Sequence, residues 1–227
     1  MKKIVILSGA GISAESGIKT FRDVDGLWEG HDVMEVASPM GWESNQELVL
    51  DFYNKRRKQL LEVEPNAAHK ALADLEKKFD VEIITQNIDD LHERAGSTKV
   101  THLHGELLKA RSTFNEKLVM DWKQDIKPGD FCEFNHQLRP HVVWFGEAVP
   151  MFEKAMEIVT DAEILIIIGT SMQVYPAAGL VDFTPKETPI YFIDPKPNIS
   201  EKGNLHIIAE KASVGVPKLV RDLMNSA

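Results

Sequence analysis

Cysteine is nearly absent from this chain. Cys132 is the single one in 227 residues, which excludes an intramolecular disulfide and a four-cysteine zinc site and suits a reducing, cytoplasmic setting. Long apolar runs are also missing. The run from Ile164 to Ile168 is far short of the ~20 residues that span a bilayer, and Ile4 to Leu7 stops at Ser8-Gly9, too soon for a signal-peptide core. There is no excess of positive charge: 26 Lys and Arg stand against 35 Asp and Glu, a net of -9. That balance offers no general attraction to nucleic-acid phosphates or anionic lipid, so neither nucleic acid nor membrane is expected as a partner. Repeats, low-complexity tracts and Pro/Gly/Ser-rich linkers are lacking, so a second module must be an insertion in the first.

What remains is a folded protein with 43% hydrophobic and 27% charged residues, values typical of globular chains. Apolar runs recur at Ile4–Leu7, Val81–Thr85, Val100–Leu103, Val142–Phe145, Ile164–Ile168, Ile190–Ile193 and Leu205–Ile208, and their lack of alternation predicts strands covered on both faces. Helical patterns lie between them, at Glu47–Leu61, Asn66–Phe79, Ile88–Arg94, Met151–Val159 and Pro217–Met224. The alternation predicts an α/β fold, a Rossmann-like parallel sheet with helices on both faces. Two stretches break the rhythm, and the second, from Glu106 to Arg139, is polar and poor in buried strand signal. The expected division is therefore 1–30, 62–105 and 141–227 for the α/β domain, with 31–61 and 106–140 forming a small inserted domain.

After the first strand, Gly9-Ala10-Gly11-Ile12-Ser13-Ala14 fits G-x-G-x-x-A, the turn that brings a pyrophosphate to backbone N–H groups at a helix N-terminus. A tight turn with no ligand fits the same residues. The second strand of an ordinary dinucleotide fold, ending in an acidic residue, does not follow. Instead a Gly- and Asp-rich loop runs from Glu15 to Trp28, within which Phe21 and Arg22 suit a nicotinamide ring and a phosphate.

Ligands of open α/β sheets sit beyond the carboxyl ends of the strands, and three apolar runs end in reactive residues. These are Thr85-Gln86-Asn87-Ile88-Asp89-Asp90, His104-Gly105-Glu106 and Gly169-Thr170-Ser171. Helix capping accounts for one or two of them, and the set predicts a ligand rim. Among eight histidines, His104 is the best candidate for a base, next to Gly105 where backbone can approach a ligand. His102 lies two residues earlier on the same strand face, so spacing does not choose between the two. His69 reads as packing or a solvated helix position. A metal site from His102, His104 and His141 lacks a cysteine or carboxylate pattern.

These segments, in this order, resemble the sirtuins, NAD-dependent protein lysine deacylases: Gly9 to Gly17 with Thr20-Phe21-Arg22-Asp23, Thr85 to Asp89, His102 to Gly105, and Gly169 to Ser171. Arg139 to Glu147, Val174 to Ala178 and the Tyr53/Arg56 pair resemble the bacterial and mitochondrial class III branch. The resemblance implies that NAD, consumed as co-substrate, is held by Gly9, Ala10, Gly11, Ile12, Ser13, Glu15, Phe21, Arg22, Gln86, Asn87, Ile88, Asp89, Gly169, Thr170 and Ser171. Asp194 would serve the adenosine ribose and Ala212 the adenine. His104 would be the general base, with Asn87 and Asp89 near the nicotinamide carboxamide. An acylated lysine of a protein would lie along Val143, Phe145, Gly146, Glu147, Val174 and Tyr175. Tyr53 and Arg56, three apart on one helix face, would grip the carboxylate of a succinyl or malonyl group, although a surface Arg beside a core Tyr fits the same spacing.

The chain departs from the family at its zinc cysteines. Cys132 is left alone and Ser112 stands at the first ligand position, so no zinc is expected and packing must hold the small domain. The protein is expected to work as a monomer. An NAD hydrolase or ADP-ribosyltransferase on the same scaffold, and a non-catalytic NAD-binding module, remain the alternatives.

Overall fold

Six of the seven apolar runs become one parallel sheet. The structure, a computed structural model, describes residues 1–19, 27–28, 30–172 and 174–226. Its strands are β1 (Lys3–Ser8), β2 (Leu27–Trp28), β3 (His31–Asp32), β4 (Asp80–Thr85), β5 (Val100–His102), β6 (Gly105–Ser112), β7 (Val119–Asp121), β8 (Leu138–Val142), β9 (Ile164–Ile168), β10 (Ile190–Ile193) and β11 (Leu205–Ile208). The helices are α1 (Val33–Val36), α2 (Pro39–Ser44), α3 (Gln46–Glu62), α4 (Ala67–Leu75), α5 (Leu91–Ala95), α6 (Phe152–Thr160) and α7 (Ala212–Asn225).

The main sheet runs β11-β10-β9-β1-β4-β5, with every neighbouring pair parallel. Alternate residues of β1 serve opposite faces. Ile4 and Ile6 pack with Leu72 of α4 and Leu219 of α7, whereas Val5 and Leu7 pack with Ala155 and Val159 of α6. Each such buried Ile, Leu or Val side chain contributes about 1.5–3 kcal/mol. Ser8 is in register with Thr85 on one side and Ile168 on the other. The ends of β4, β1 and β9 therefore stand level, and the residues that follow them share one rim at the point where the strand order reverses.

A second, antiparallel sheet, β7-β6-β8, packs on α3 around Phe52, Tyr53, Leu107, Leu138 and Trp144. Here the structure differs from the sequence reading. The stretch after Glu106 holds the long strand β6. Of Val142–Phe145 only Val142 is strand, and it closes β8 in this smaller sheet.

Helix α7 begins at Ala212, so Pro217 lies inside it rather than at its start. The earlier start is supported by Glu15, whose carboxylate accepts from the Ser213 N–H at 3.1 Å and places negative charge at the helix N-terminus. The chain after β1 forms two short 3-10 turns, Ala10–Ile12 and Ala14–Ser16, in place of the expected helix.

Candidate active site

The glycines of the rim hold two loops against each other. The Gly11 N–H donates to the Gly169 carbonyl at 2.8 Å. A Cβ on Gly11 would lie 2.6 Å from Gly169 Cα, and one on Gly9 would lie 2.8 Å from Thr170 Cβ. Gly169 has φ +59, the left-handed region that glycine enters without strain. Gly105 admits a backbone as well, but not a ligand's: its Cβ would meet the His141 carbonyl oxygen at 2.1 Å.

Asn87 and Asp89, sent out by the end of β4, meet Ser13 from the turn after β1. The Asn87 amide nitrogen donates to the Gly9 carbonyl and to Ser13 Oγ, both at 3.2 Å. Its two hydrogens are thereby used, and its oxygen is left for the cavity that Asn87 lines. Ser13 Oγ donates to Asp89 Oδ2 at 2.9 Å, and the Leu91 N–H donates to Asp89 Oδ1 at 3.2 Å. Asp89 is buried behind Asn87. Burial pushes its pKa up to about 6, against the pull of those two hydrogen bonds.

Hydrogen bonding separates the two histidines that spacing could not. His104 Nδ1 lies 2.9 Å from the Gln86 carbonyl oxygen. A carbonyl only accepts, so Nδ1 carries the proton of the neutral ring and Nε2 keeps its lone pair. Burial lowers the pKa, with the Gln86 carbonyl acting in the opposite direction. His102 lies between two acceptors, the Asn87 carbonyl at 2.9 Å and Glu93 Oε1 at 2.8 Å. Burial disfavours its charge, but Glu93, the Asn87 carbonyl and Glu106 together outweigh burial and the pKa is raised. Facing two acceptors, both ring nitrogens of His102 serve as donors, the arrangement of a charged ring, whereas His104, which lines the cavity, keeps a ring nitrogen free to accept a proton.

The cavity measures about 310 Å³, within the ordinary range for small-molecule sites. Its lining takes Gly9, Ala10, Gly11, Gln86, Asn87, Ile88, Gly169, Thr170 and Ser171 from the turns after β1, β4 and β9, the first wall, and Tyr53 of α3 with Val143, Phe145, Gly146, Glu147, Val174 and Tyr175 as the second. Gln86 donates to Thr170 Oγ1 at 3.1 Å and so ties two strand ends together. Tyr53 is fully buried, and its oxygen accepts from Trp144 Nε1 at 3.1 Å. Glu147 accepts from Arg139, Arg111 and the Trp144 N–H, which anchors the second wall. Arg56 stands behind that wall, its guanidinium over Trp28 at 4.3 Å and Phe52 at 3.7 Å.

Several expected residues are not on the cavity. Ile12, Ser13 and Asp89 lie beneath it. Glu15 is engaged at α7, Ala212 is the first residue of that helix, and Asp194 accepts from the Lys196 N–H at the end of β10. Phe21 and Arg22 fall outside the described residues. Trp28 and Trp144 also line the cavity; Trp144 lies within the Val143 to Glu147 segment expected there, whereas Trp28, at the end of a Gly- and Asp-rich loop, carries no signal that separates a wall from a core. Among the described residues no three His, Cys, Asp or Glu are grouped to hold a metal.

A parallel sheet with a glycine-bounded cavity at its switch point, joined by a smaller antiparallel sheet, defines a Rossmann-like nucleotide-binding protein. The Sir2 family model matches residues 9–176, and the chain belongs to that family. An NAD-dependent protein deacylase of Helicobacter pylori is 59% identical over 228 residues, covering 100% of both chains. Two solved structures are 38% identical over 99% of this chain: a mutant Sir2 homologue with ADP-ribose (TM-score 0.90, 93% of that chain) and a Sir2 homologue with NAD (TM-score 0.89, 90% of that chain).

Proposed function

We propose that the chain removes acyl groups from protein lysines at the expense of NAD, releasing nicotinamide and O-acyl-ADP-ribose. The observation that carries this reading is His104, with its Nδ1 proton held by Gln86 and its Nε2 open to the cavity. A binding module needs no such base. The donor set on the first wall suits NAD: Asn87 offers an amide oxygen, and the glycine-bounded turns offer backbone close to the ligand. Bound NAD supplies a ribosyl carbon that an acyl oxygen can attack as nicotinamide departs.

Within that reaction His104 Nε2 accepts a proton from a ribose hydroxyl. Val143, Trp144 and Val174 exclude water around the acyl chain. Exposed Phe145 and Tyr175 flank the mouth, where the peptide would lie as an added strand. The acyl groups would include succinyl and malonyl. Support for this comes from Tyr53, which lines the cavity, and from Arg56 stacked on Trp28, which lines it too.

The test is mass spectrometry of one lysine peptide, acetylated or succinylated, incubated with NAD. Acyl removal that requires NAD and is lost in His104→Ala supports the deacylase. Arg56→Met should remove the succinyl preference and spare acetyl removal. Nicotinamide release without any peptide would indicate a hydrolase instead.

A further inference from the structure

Helix α4 starts at a polar pair, Asn66 and His69, that the chemistry above does not use. Asn66 Oδ1 accepts from the Ala68 N–H at 2.9 Å, and the Asn66 N–H reaches His69 Nδ1 at 3.4 Å. Together these make the reciprocal cap of a helix N-terminus. The cap consumes only acceptors. The two hydrogens of the Asn66 amide go elsewhere, to the Ile12 carbonyl at 2.8 Å and to Ser16 Oγ at 3.0 Å. Those atoms belong to the two successive turns that follow β1.

His69 extends the same bracket. It is fully buried, and burial pulls its pKa down to about 4 against a small opposing effect of Glu93. The ring is therefore neutral. Because Nδ1 accepts, the proton sits on Nε2, which faces Ser13 Oγ at 3.5 Å. Ser13 also receives the Asn87 amide and gives its own hydrogen to Asp89. A hydroxyl has one hydrogen and two lone pairs, and here all three are assigned.

We propose that Asn66 and His69 are positioning residues for NAD: the start of α4 clamps the turn from Ile12 to Ser16 and, through Ser13, sets the aim of Asn87 and the place of Asp89. The proposal rests on the NAD-dependent reading of the site. It separates from a plain structural role by chemistry, since capping needs acceptors at these two positions whereas clamping needs donors.

Asn66→Asp keeps a good N-cap and loses both donations to the turn. Asn66→Ser keeps a cap without the amide's reach and covers the case in which the carboxylate disturbs folding. His69→Glu keeps an acceptor for the Asn66 N–H and drops the donor toward Ser13. His69→Gln keeps both. Steady-state kinetics on the full chain should show KM for NAD rising about tenfold in Asn66→Asp, Asn66→Ser and His69→Glu, the scale of one or two lost hydrogen bonds. KM for the acyl peptide should stay put, and His69→Gln should remain within about twofold of the wild type.

The proposal is overturned if both Asn66 variants keep the wild-type KM for NAD, if KM for peptide rises in step, or if His69→Gln is as impaired as His69→Glu. Titration of NAD by calorimetry with the same variants distinguishes the two levels. Wild-type binding without turnover would remove the deacylase reading while the ratio of affinities still judges the clamp, and no binding by the wild type would remove both.

Discussion

The Ser112 hydroxyl donates to Cys132 Sγ at 3.2 Å. The direction follows from its lone pairs, which accept the N–H groups of Phe114 at 3.0 Å and Asn115 at 3.3 Å. Cys132 opens a matching tight loop, in which the Asn135 N–H returns to its carbonyl at 2.9 Å. A hydroxyl and a thiol thus join two loop corners at the end of the small sheet. Ser112→Ala should cost about 1–3 kcal/mol by stranding two backbone donors, read as a lower denaturation midpoint with little change in KM for NAD. Elemental analysis of the purified protein should find well under one zinc per chain, and a chelator should leave Tm unchanged. Stoichiometric zinc would overturn this account of the module.

The two neighbouring histidines should respond oppositely to pH. His104 is held below its usual value, chiefly by burial, so the acid limb of kcat/KM should have its midpoint below the ordinary ~6.5 of a free imidazole. His102 is raised in the folded state, so its contribution to stability is complete below the unfolded value and disappears as pH rises through the folded one. His102→Gln should therefore lower Tm more at acidic than at alkaline pH. Equal losses at pH 6 and pH 9, values chosen to bracket the titration of an imidazole, would contradict the imidazolium assignment.

Gly11→Ala should be among the most damaging single methyl additions available to the chain. The new carbon would stand 2.6 Å from Gly169 Cα, backbone against backbone, and neither loop can yield without losing the other. A cost above about 3 kcal/mol, or failure to fold, is expected in urea denaturation. Gly146→Ala makes the control. Its φ is +90 and nothing lies within 4 Å of the added carbon, so its cost is confined to the backbone, about 1–2 kcal/mol.

Trp144→Phe should change acyl preference through Tyr53. The indole N–H occupies the phenol oxygen, which leaves the phenol hydrogen to be given to an acceptor in the cavity. Burial raises the Tyr53 pKa and keeps that hydrogen in place. Without the indole donor, the ratio of succinyl to acetyl kcat/KM should fall about threefold to tenfold, the scale of one hydrogen bond. Tyr53→Phe should produce the same fall, and the double variant no more than either alone.

Much of this site was legible because β-strand ends in a parallel sheet are marked twice, by the end of an apolar run and by the polar residues that follow. Gln86, Asn87, His104 and Gly169 to Ser171 were all found in this way. What was hidden depends on partners distant in sequence. Pro217 reads as a helix start until Glu15 is seen to support the same helix from Ala212. Gly105 reads as room for a ligand until the His141 carbonyl is found filling that room. His69 looks like packing in an alanine-rich helix, and only the fold brings Ser13 to its ring. The spacing of Tyr53 and Arg56 gives a shared helix face but says nothing of the rings between which the guanidinium lies.

The pairing of β1 with β9 has a consequence for how the chain is made. Lys3 and Glu163 are 160 residues apart and hydrogen-bonded, and Ile4 to Ser8 pair with Ile164 to Ile168. During synthesis the first strand leaves the ribosome long before that partner exists. β4 can cover one of its edges early, but the backbone groups of Ile4, Val5, Ile6 and Leu7 along the other edge wait for most of the chain. An unpaired apolar edge invites association with other chains. The nascent protein therefore passes through an interval in which its future centre is its most adhesive surface, and the cofactor cavity forms only when that interval ends.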